Sequence, residues 1–142
     1  MSDLDTTQAL ITKFIATTVT GLTDSDIDTE LDFFDPKGKS IFVKLINIPA
    51  TSTAMGKSST DKNEERGIFQ VSIFIPMTTK NRRIVMSTAA DQVKAGFQFN
   101  STTVYNGQLV TILDSTLNQG RESESWFQRD VSINYLTFSD RG

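Results

Sequence analysis

Two stretches of the chain place apolar residues at the three- and four-residue spacing that is typical of an amphipathic helix. The first runs from Leu4 to Leu22. Asp3 or Asp5 can accept its first free N–H groups, and Gly21 tolerates a left-handed turn at its end. The second runs from about Lys80 to Phe97. Its two small alanines would let the helix lie close to a sheet. The apolar stripe consists of Val85, Ala89, Val93 and Phe97, with Ala90 beside it.

Runs rich in β-branched and aromatic residues predict strands in the rest of the chain. Such runs are Ser40–Pro49, Gly67–Pro76, Gly107–Leu113 and Trp126–Phe138, with a shorter candidate at Leu31–Phe34. Pro49 and Pro76 are predicted to end their strands, because proline cannot donate to a ladder of backbone hydrogen bonds. One parity of the run before Pro76 is wholly apolar and should face the core: Phe69, Val71, Ile73 and Ile75.

The order of these elements predicts the fold class. They follow one another as α-β-β-β-α-β-β, which indicates a single α+β domain over residues 1–142 with both helices packed on one mixed sheet. The stretch Thr51 to Arg66 has only two apolar side chains among 16 residues and is predicted to be a long flexible loop. Its length and its mixed charges favour a contact with a partner, with Lys57, Lys62 and Arg66 among the contacting side chains.

Composition narrows the chemistry. The 142 residues contain no His and no Cys, which removes thiol nucleophiles, disulfides, Cys-ligated zinc and the commonest general base. No paired nucleophile and base emerges, so neither an enzyme activity nor a cofactor is predicted. The formal net charge is −3, and neither half of the chain has the basic excess that is typical of nucleic-acid binding. No run approaches the ~20 apolar residues that span a bilayer, so we expect no membrane contact.

Residues 24–35 form an acidic segment whose carboxylates are Asp24, Asp26, Asp28, Glu30, Asp32 and Asp35. Their spacing resembles a calcium-binding loop, but Thr29 stands where that loop needs glycine, and a strand rather than a helix is predicted to follow. The simpler interpretation is a solvated acidic linker. A weak divalent-ion site at Asp24, Asp26 and Asp28 stays open, because hard cations need only oxygen ligands.

A basic cluster, Lys80, Arg82 and Arg83, lies at the start of the second predicted helix. Positive charge there opposes the helix dipole, so local stability does not explain the cluster. One interpretation is a solvated charged face. The other is an interface in which a partner's carboxylates complement the charge.

Three groups of residues, in this order and spacing, carry a resemblance that spans most of the chain: Gly67–Val71 with Phe74 and Pro76; Ala89–Val93 with Phe97; and Gly120-Arg121 with Trp126-Phe127 and Val131–Tyr135. In these core and turn positions the chain resembles the tail terminator proteins of long, non-contractile-tailed bacteriophages. The resemblance is one of architecture and order, because none of these positions is catalytic.

The resemblance implies a structural virion protein and not an enzyme. Such proteins are expected to form a hexameric homo-oligomeric ring that caps the tail tube, stops tube polymerisation and provides the joint to the head connector. The expected partners are therefore further copies of the chain, the tail tube protein and head–tail connector proteins. In such a ring, we expect the stretch Thr51 to Arg66 to pack on a neighbouring subunit or on the tube. The genome would pass through the central hole without specific binding. The implied location is the neck region of the virion tail, after assembly in the host cytoplasm.

Two alternatives stay open from the sequence. Another neck protein, such as a head-completion or connector component, would share the size and the lack of catalysis. A small metal-dependent enzyme could use the acidic segment 24–35.

Overall fold

The structure, a computed structural model, describes residues 3–23, 26–29, 34–54, 62–123 and 125–140. Its elements follow in the order α1 (Asp3–Ile15), β1 (Ile27–Asp28), β2 (Phe42–Ala54), β3 (Lys62–Pro76), α2 (Arg82–Gly96), β4 (Thr102–Tyr105), β5 (Gln108–Leu117), β6 (Arg121–Ser123) and β7 (Trp126–Asp140). The predicted α+β class and element order are confirmed, with β4 and β6 as two additional short strands.

The strands form one mixed sheet in the order β1-β2-β3-β7-β5-β4, with β6 paired to the start of β7. β1 runs parallel to β2, and the other neighbouring strands are antiparallel. β3 and β7 pair along their whole length, from Lys62 opposite Asp140 to Pro76 opposite Trp126. α1 contacts β4 and β5, whereas α2 contacts β3 and β7. Both helices cover the same face of the sheet, and we call the opposite face the outer face.

The core lies between the two helices and the sheet. The apolar parity predicted for residues 67–76 is confirmed, because its four side chains are completely buried. They meet the β7 side chains Val131 and Ile133 on the same face. The predicted stripe of α2 is also confirmed: Ala89, Ala90 and Val93 are buried and Val85 is partly buried, and Met86 joins them in the core. Just after α2, the ring of Phe97 packs against that of Phe69 with 5.9 Å between their centroids.

The first helix is shorter than predicted, since α1 ends at Ile15 and not near Leu22. Thr17 donates its hydroxyl to the carbonyl of Lys13 at 3.0 Å, a local bond of the kind that competes with helix continuation. Val19 is still buried in the core, although it lies outside the helix. The left-handed turn at Gly21 is confirmed by a φ of 81°, but it does not cap the helix.

The predicted end of β2 at Pro49 is wrong. β1 pairs with β2 only at Val43 and Lys44, so Pro49 lies at the edge of the described sheet. The register of β2 against β3 also shifts between Pro49 and Thr51. Sheet edges and bulges are the positions where proline is tolerated in a strand.

The prediction of a flexible loop over residues 51–66 is wrong at both ends. Residues 51–54 pair with residues 63–66 of β3, and residues 62–66 pair with residues 136–140 of β7. Backbone hydrogen bonds form such ladders whatever the side chains are, so a polar pattern can hide a strand. The rest of the predicted loop, residues 55–61 with Lys57, lies outside the described residues.

Three smaller differences concern the connections. The strand predicted at Leu31–Phe34 falls mostly outside the described residues, and Phe34 itself is not in a strand. β1 instead forms at Ile27, within the acidic segment. The strand predicted at Gly107–Leu113 continues as far as Leu117. Among the described residues, no helix has the length and apolar character required to cross a bilayer.

Candidate functional site: a basic groove

A groove of about 680 Å³ opens between the first turn of α2, the start of β7 and the turn that leads into β6. We call it the arginine groove, because three of its lining side chains are arginines. Its lining residues are Thr79, Asn81, Arg82, Arg83, Met86, Gln119, Gly120, Phe127 and Arg129. The groove therefore combines the arginines in the first turn of α2 with residues that lie about forty positions later in the chain.

Two of the arginines are held in place by uncharged partners. Arg82 donates from Nη1 to the carbonyl of Met77 at 3.1 Å, and its guanidinium lies 5.0 Å from the centre of the Phe127 ring. Arg129 donates from Nε to the carbonyl of Asn118 at 2.9 Å. These contacts orient the two guanidinium groups and leave further N–H donors on each.

The groove carries positive charge that the described part of the chain does not neutralise. Arg82, Arg83, Arg129 and the neighbouring Lys80 have no described carboxylate within salt-bridge distance. α2 has no acidic residue in its first turn, and the side chain of Asn81 makes no capping hydrogen bond. The positive end of the helix dipole thus adds to the charge of the arginines. Such a surface attracts anionic groups.

The structure brings together only part of the predicted interface set. Arg82 and Arg83 line the groove, and Lys80 is exposed in the turn before them. Arg66 lies ten residues before the end of β3, which is roughly 33 Å away along an extended strand. Lys62 is farther still, at the first residue of β3. These two residues stay predicted contacts of a separate surface.

Sequence reasoning missed Arg129. Its signal was present, because Arg129 shares the parity of Phe127, Val131 and Ile133 on β7 and is the charged member of that apolar series. It stands directly opposite Ile73 in the sheet. A charged residue at a strand position that otherwise faces the core indicates that the core ends there or that a partner covers the charge.

Near the β1 edge of the sheet, one carboxylate of the acidic segment makes contacts within the subunit. Asp26 accepts from the N–H and the hydroxyl of Thr23, each at 3.0 Å, and from Nζ of Lys39 at 2.9 Å. Burial raises the pKa of Asp26, but these hydrogen bonds and the Lys39 charge outweigh it and lower the pKa. Both oxygens of Asp26 thus have partners in the fold.

This engagement bears on the divalent-ion hypothesis. Among the described residues, no three metal-binding side chains come together in one place. Asp24 lies outside the described residues, and Asp28 lies in β1 at the edge of the sheet. The hypothesis of an ion at Asp24, Asp26 and Asp28 therefore gains no support from Asp26.

The outer face carries a buried charge next to the groove. Asp130 is only 4% exposed and accepts from Nη1 of Arg121 at 2.8 Å and from Nε2 of Gln128 at 2.9 Å. Because Arg121 begins β6, this cluster holds β6 against β7. Gly120, immediately before β6, lies against the Phe127 ring so closely that a Cβ would collide with it. The cluster and the glycine together fix one wall of the arginine groove.

A second exposed surface is apolar and lies at the β4 edge of the sheet. Val104 and Leu109 are directly paired on the outer face and are 55% and 49% exposed. Phe99, just before β4, is 77% exposed. Exposed apolar groups gathered at a sheet edge are typical of contact surfaces.

Comparison with known proteins gives two findings. A family model described as phage tail terminator protein matches residues 7–135. Among solved structures, one whose name states no function has a TM-score of 0.71 with this chain, at 17% sequence identity and over 96% of each chain. Identity that low shows a shared fold and nothing more. A search of the curated proteins finds no match.

Proposed function

The chain belongs to the phage tail terminator protein family, and we propose that it closes into a ring at the end of the tail tube. In this position the ring stops tube polymerisation and provides the joint to the head connector. The proposed ring is a hexamer of this chain, and the genome passes through its central hole without specific binding. The coarser statement, that the chain is a structural component of a phage tail, follows from the family itself.

The observation that carries the proposal is the extent of the family match. Residues 7–135 run from the second turn of α1 to the last third of β7, so they include α2, most of α1 and the buried core. The match therefore covers nearly all of the folded unit. Because the family is structural, we infer that the protein works through assembly and not through catalysis.

The surfaces of the subunit are compatible with a ring. A closed ring of identical subunits needs two different patches on each copy, so that one patch meets the other patch of the next copy. The arginine groove supplies one patch, which is basic. The apolar surface at the β4 edge supplies a second, different patch.

A phage that lacks this gene tests the proposal. We expect electron microscopy of its lysate to show tubes longer than wild-type tails, and the gene supplied in trans to restore the normal length. Tails of normal length beside unjoined, filled heads would instead favour a head-completion or connector protein. That outcome would overturn the assignment as a terminator while keeping the protein in the neck region.

A further inference from the structure

We propose that the arginine groove is a binding site for an acidic segment of a different protein. The segment places one apolar side chain on the floor of the groove, and the carboxylates beside that side chain meet the arginines. The inference goes beyond the proposed ring, because it assigns a partner-binding site to the single subunit. It is carried by the charge, the shape and the chemistry of the side chains that line the groove.

The groove has an excess of positive charge. Arg82, Arg83 and Arg129 line it, and Lys80 is exposed in the turn before α2. In the described part of the chain, none of these side chains has a carboxylate within salt-bridge distance. Glu122 lies on β6, the strand that follows the groove's wall, and it is a single carboxylate beside this cluster. The surplus favours a partner that brings more than one negative charge.

Two of the guanidinium groups are already positioned to receive carboxylates. Arg82 uses Nη1 for the carbonyl of Met77, and Arg129 uses Nε for the carbonyl of Asn118. Further N–H donors stay available on each group, and a planar guanidinium can give a carboxylate two parallel hydrogen bonds. Because uncharged partners hold both side chains, binding restricts little additional side-chain motion. These contacts therefore favour discrete carboxylates over diffuse negative charge.

The floor of the groove is apolar. Met86 lies at its base and is only 1% exposed, and the partly buried ring of Phe127 lies 5.0 Å from the guanidinium of Arg82. The volume of about 680 Å³ falls within the range of roughly 300–1,000 Å³ that is typical of ligand pockets. An aliphatic side chain seated on this floor would remove apolar surface of both partners from water. The groove thus fits an apolar side chain with carboxylates on either side.

DNA phosphate is the other anion that a basic groove could hold. Proteins that bind duplex DNA commonly make about 6–10 phosphate contacts. The groove offers only Lys80 and its three arginines, on a chain whose net charge is −3. A phosphate backbone also has no apolar group for the floor beside Phe127. An acidic polypeptide is therefore the better match.

The described surface of the chain itself does not supply such a segment. Its carboxylates that have no described partner lie on three different elements: Glu65 in β3, Asp91 in α2 and Glu122 in β6. Asp114 accepts a hydrogen bond from Asn134, so it is also engaged within the subunit. Isolated carboxylates do not match a groove with several cations. A different protein is therefore the proposed source of the acidic segment.

Binding of short peptides to the purified protein tests the site. The probe is the peptide GEELEEG with a tetramethylrhodamine label, and its binding is followed by fluorescence anisotropy. Two matched probes replace either the four glutamates by glutamine or the leucine by glycine. We expect the glutamine probe to bind at least about tenfold more weakly, because it cannot form ion pairs. We expect the glycine probe to bind at least about threefold more weakly, because it leaves the floor of the groove uncovered.

Substitutions in the groove locate the binding. Lys80→Gln with Arg83→Gln removes two charges from exposed side chains that make no described hydrogen bond or ion pair. Arg129→Gln removes a third charge from the opposite wall. We expect each of these variants to bind GEELEEG at least about fivefold more weakly than wild type. A matched control, Lys13→Gln with Lys94→Gln, changes the net charge as much as the first variant, at the opposite ends of the helices, and should stay within about twofold of wild type.

Several results would overturn the inference, with circular dichroism used to show that each variant folds. These are no binding of GEELEEG at millimolar concentration, equal binding of the glutamine probe, or an equal loss in the control variant. If Arg129→Gln does not fold, unchanged binding by Lys80→Gln with Arg83→Gln is sufficient to refute the site.

Two further outcomes would assign the groove to another occupant. A duplex of 12 base pairs that binds more tightly than GEELEEG, and that the groove variants no longer bind, would assign it to phosphate. Self-association of the protein that GEELEEG disrupts and the groove variants lack would assign it to a second copy. None of these measurements depends on tail length in a phage that lacks the gene, so the proposed function can fail or hold independently.

Discussion

Replacing Asp130 with asparagine tests how the outer face is held together beside the arginine groove. The carboxylate of Asp130 accepts hydrogen bonds from Arg121 and Gln128, and also from Ser72 on the neighbouring strand β3. Asparagine keeps the shape of the side chain but removes the charge. One of the two carboxylate oxygens is replaced by an NH2 group, which is a donor, so one of the neighbouring donors loses its acceptor.

The loss of stability caused by Asp130→Asn depends on which of the three hydrogen-bond donors can turn away into water. The side chain of Arg121 is 54% exposed, so it can turn into water, whereas Ser72 and Gln128 are buried. The favoured arrangement of Asp130→Asn therefore turns the NH2 group towards Arg121. The variant loses one hydrogen bond to a buried charge, and the remaining hydrogen bonds weaken because the acceptor is no longer charged. Together these losses should lower the free energy of unfolding by about 1–3 kcal/mol. Arg121→Ala removes only the exposed partner and should cost about 0.2–1 kcal/mol.

The pH dependence gives an independent check. Burial raises the pKa of Asp130, but the hydrogen bonds from Gln128, Ser72 and Arg121 and the charge of Arg121 outweigh it, so the pKa lies below its ordinary value of 3.8. A carboxyl group with a lowered pKa stabilises the fold above the unfolded-state value, and this contribution is lost as the pH falls through the folded-state pKa. The difference between wild type and Asp130→Asn should therefore be constant near neutral pH and should shrink below about pH 3.8.

Urea unfolding followed by the fluorescence of Trp126 can measure these differences. Trp126 is the single tryptophan and packs edge-on against Phe42, with 4.8 Å between ring centroids. Midpoints and slopes give the free energy of unfolding for wild type and both variants. The reasoning would be refuted if Arg121→Ala destabilised the fold as much as Asp130→Asn, or if the destabilisation by Asp130→Asn were unchanged at about pH 3.

Three further substitutions test the packing. Gly67→Ala places a Cβ against the ring of Tyr135, which is 3% exposed, and should lower the free energy of unfolding by about 1–3 kcal/mol in urea titration. Phe97→Ala empties a completely buried site and should cost about 3–5 kcal/mol, measured in the same way; a loss under about 1 kcal/mol would contradict its place in the core. Val104→Thr with Leu109→Thr should stay within about 0.5 kcal/mol of wild type, because both side chains are exposed, and a larger loss would show that they are packed in the isolated subunit.

Hydrophobic periodicity predicted the elements that build the core. The alternation in β3 and the stripe of α2 both arise from burial on one face, and burial is the property that an apolar pattern records. The polar ends of β2 and β3 escaped prediction for the converse reason. Residues 51–54 and 62–66 are held as strands by pairing with each other and with β7. Such pairing depends on backbone groups and on distant residues, so the local side-chain pattern does not contain it.

Only the residues of the candidate site that lie next to each other in the sequence could be predicted. Arg82 and Arg83 are adjacent in sequence, and their position at a helix start marked them as unusual. The groove itself depends on where β7 and the turn before β6 meet α2. That meeting is set by the pairing of β3 with β7, which brings Arg129 opposite Ile73. No local pattern relates residues that far apart in the chain.

The position of Arg129 is difficult to explain by stability alone. It occupies the apolar parity of β7, between Phe127 and Val131, where a leucine could bury its side chain against the same neighbours. Burial of apolar area is favourable by about 25 cal/mol per Å², and replacement of partly buried charge by apolar side chains is often neutral or stabilising. The arginine instead keeps a charge at the rim of the core, oriented by the carbonyl of Asn118 and without a described carboxylate partner. An anionic group of a partner would account for this charge, because it would supply the counter-charge that the described residues do not.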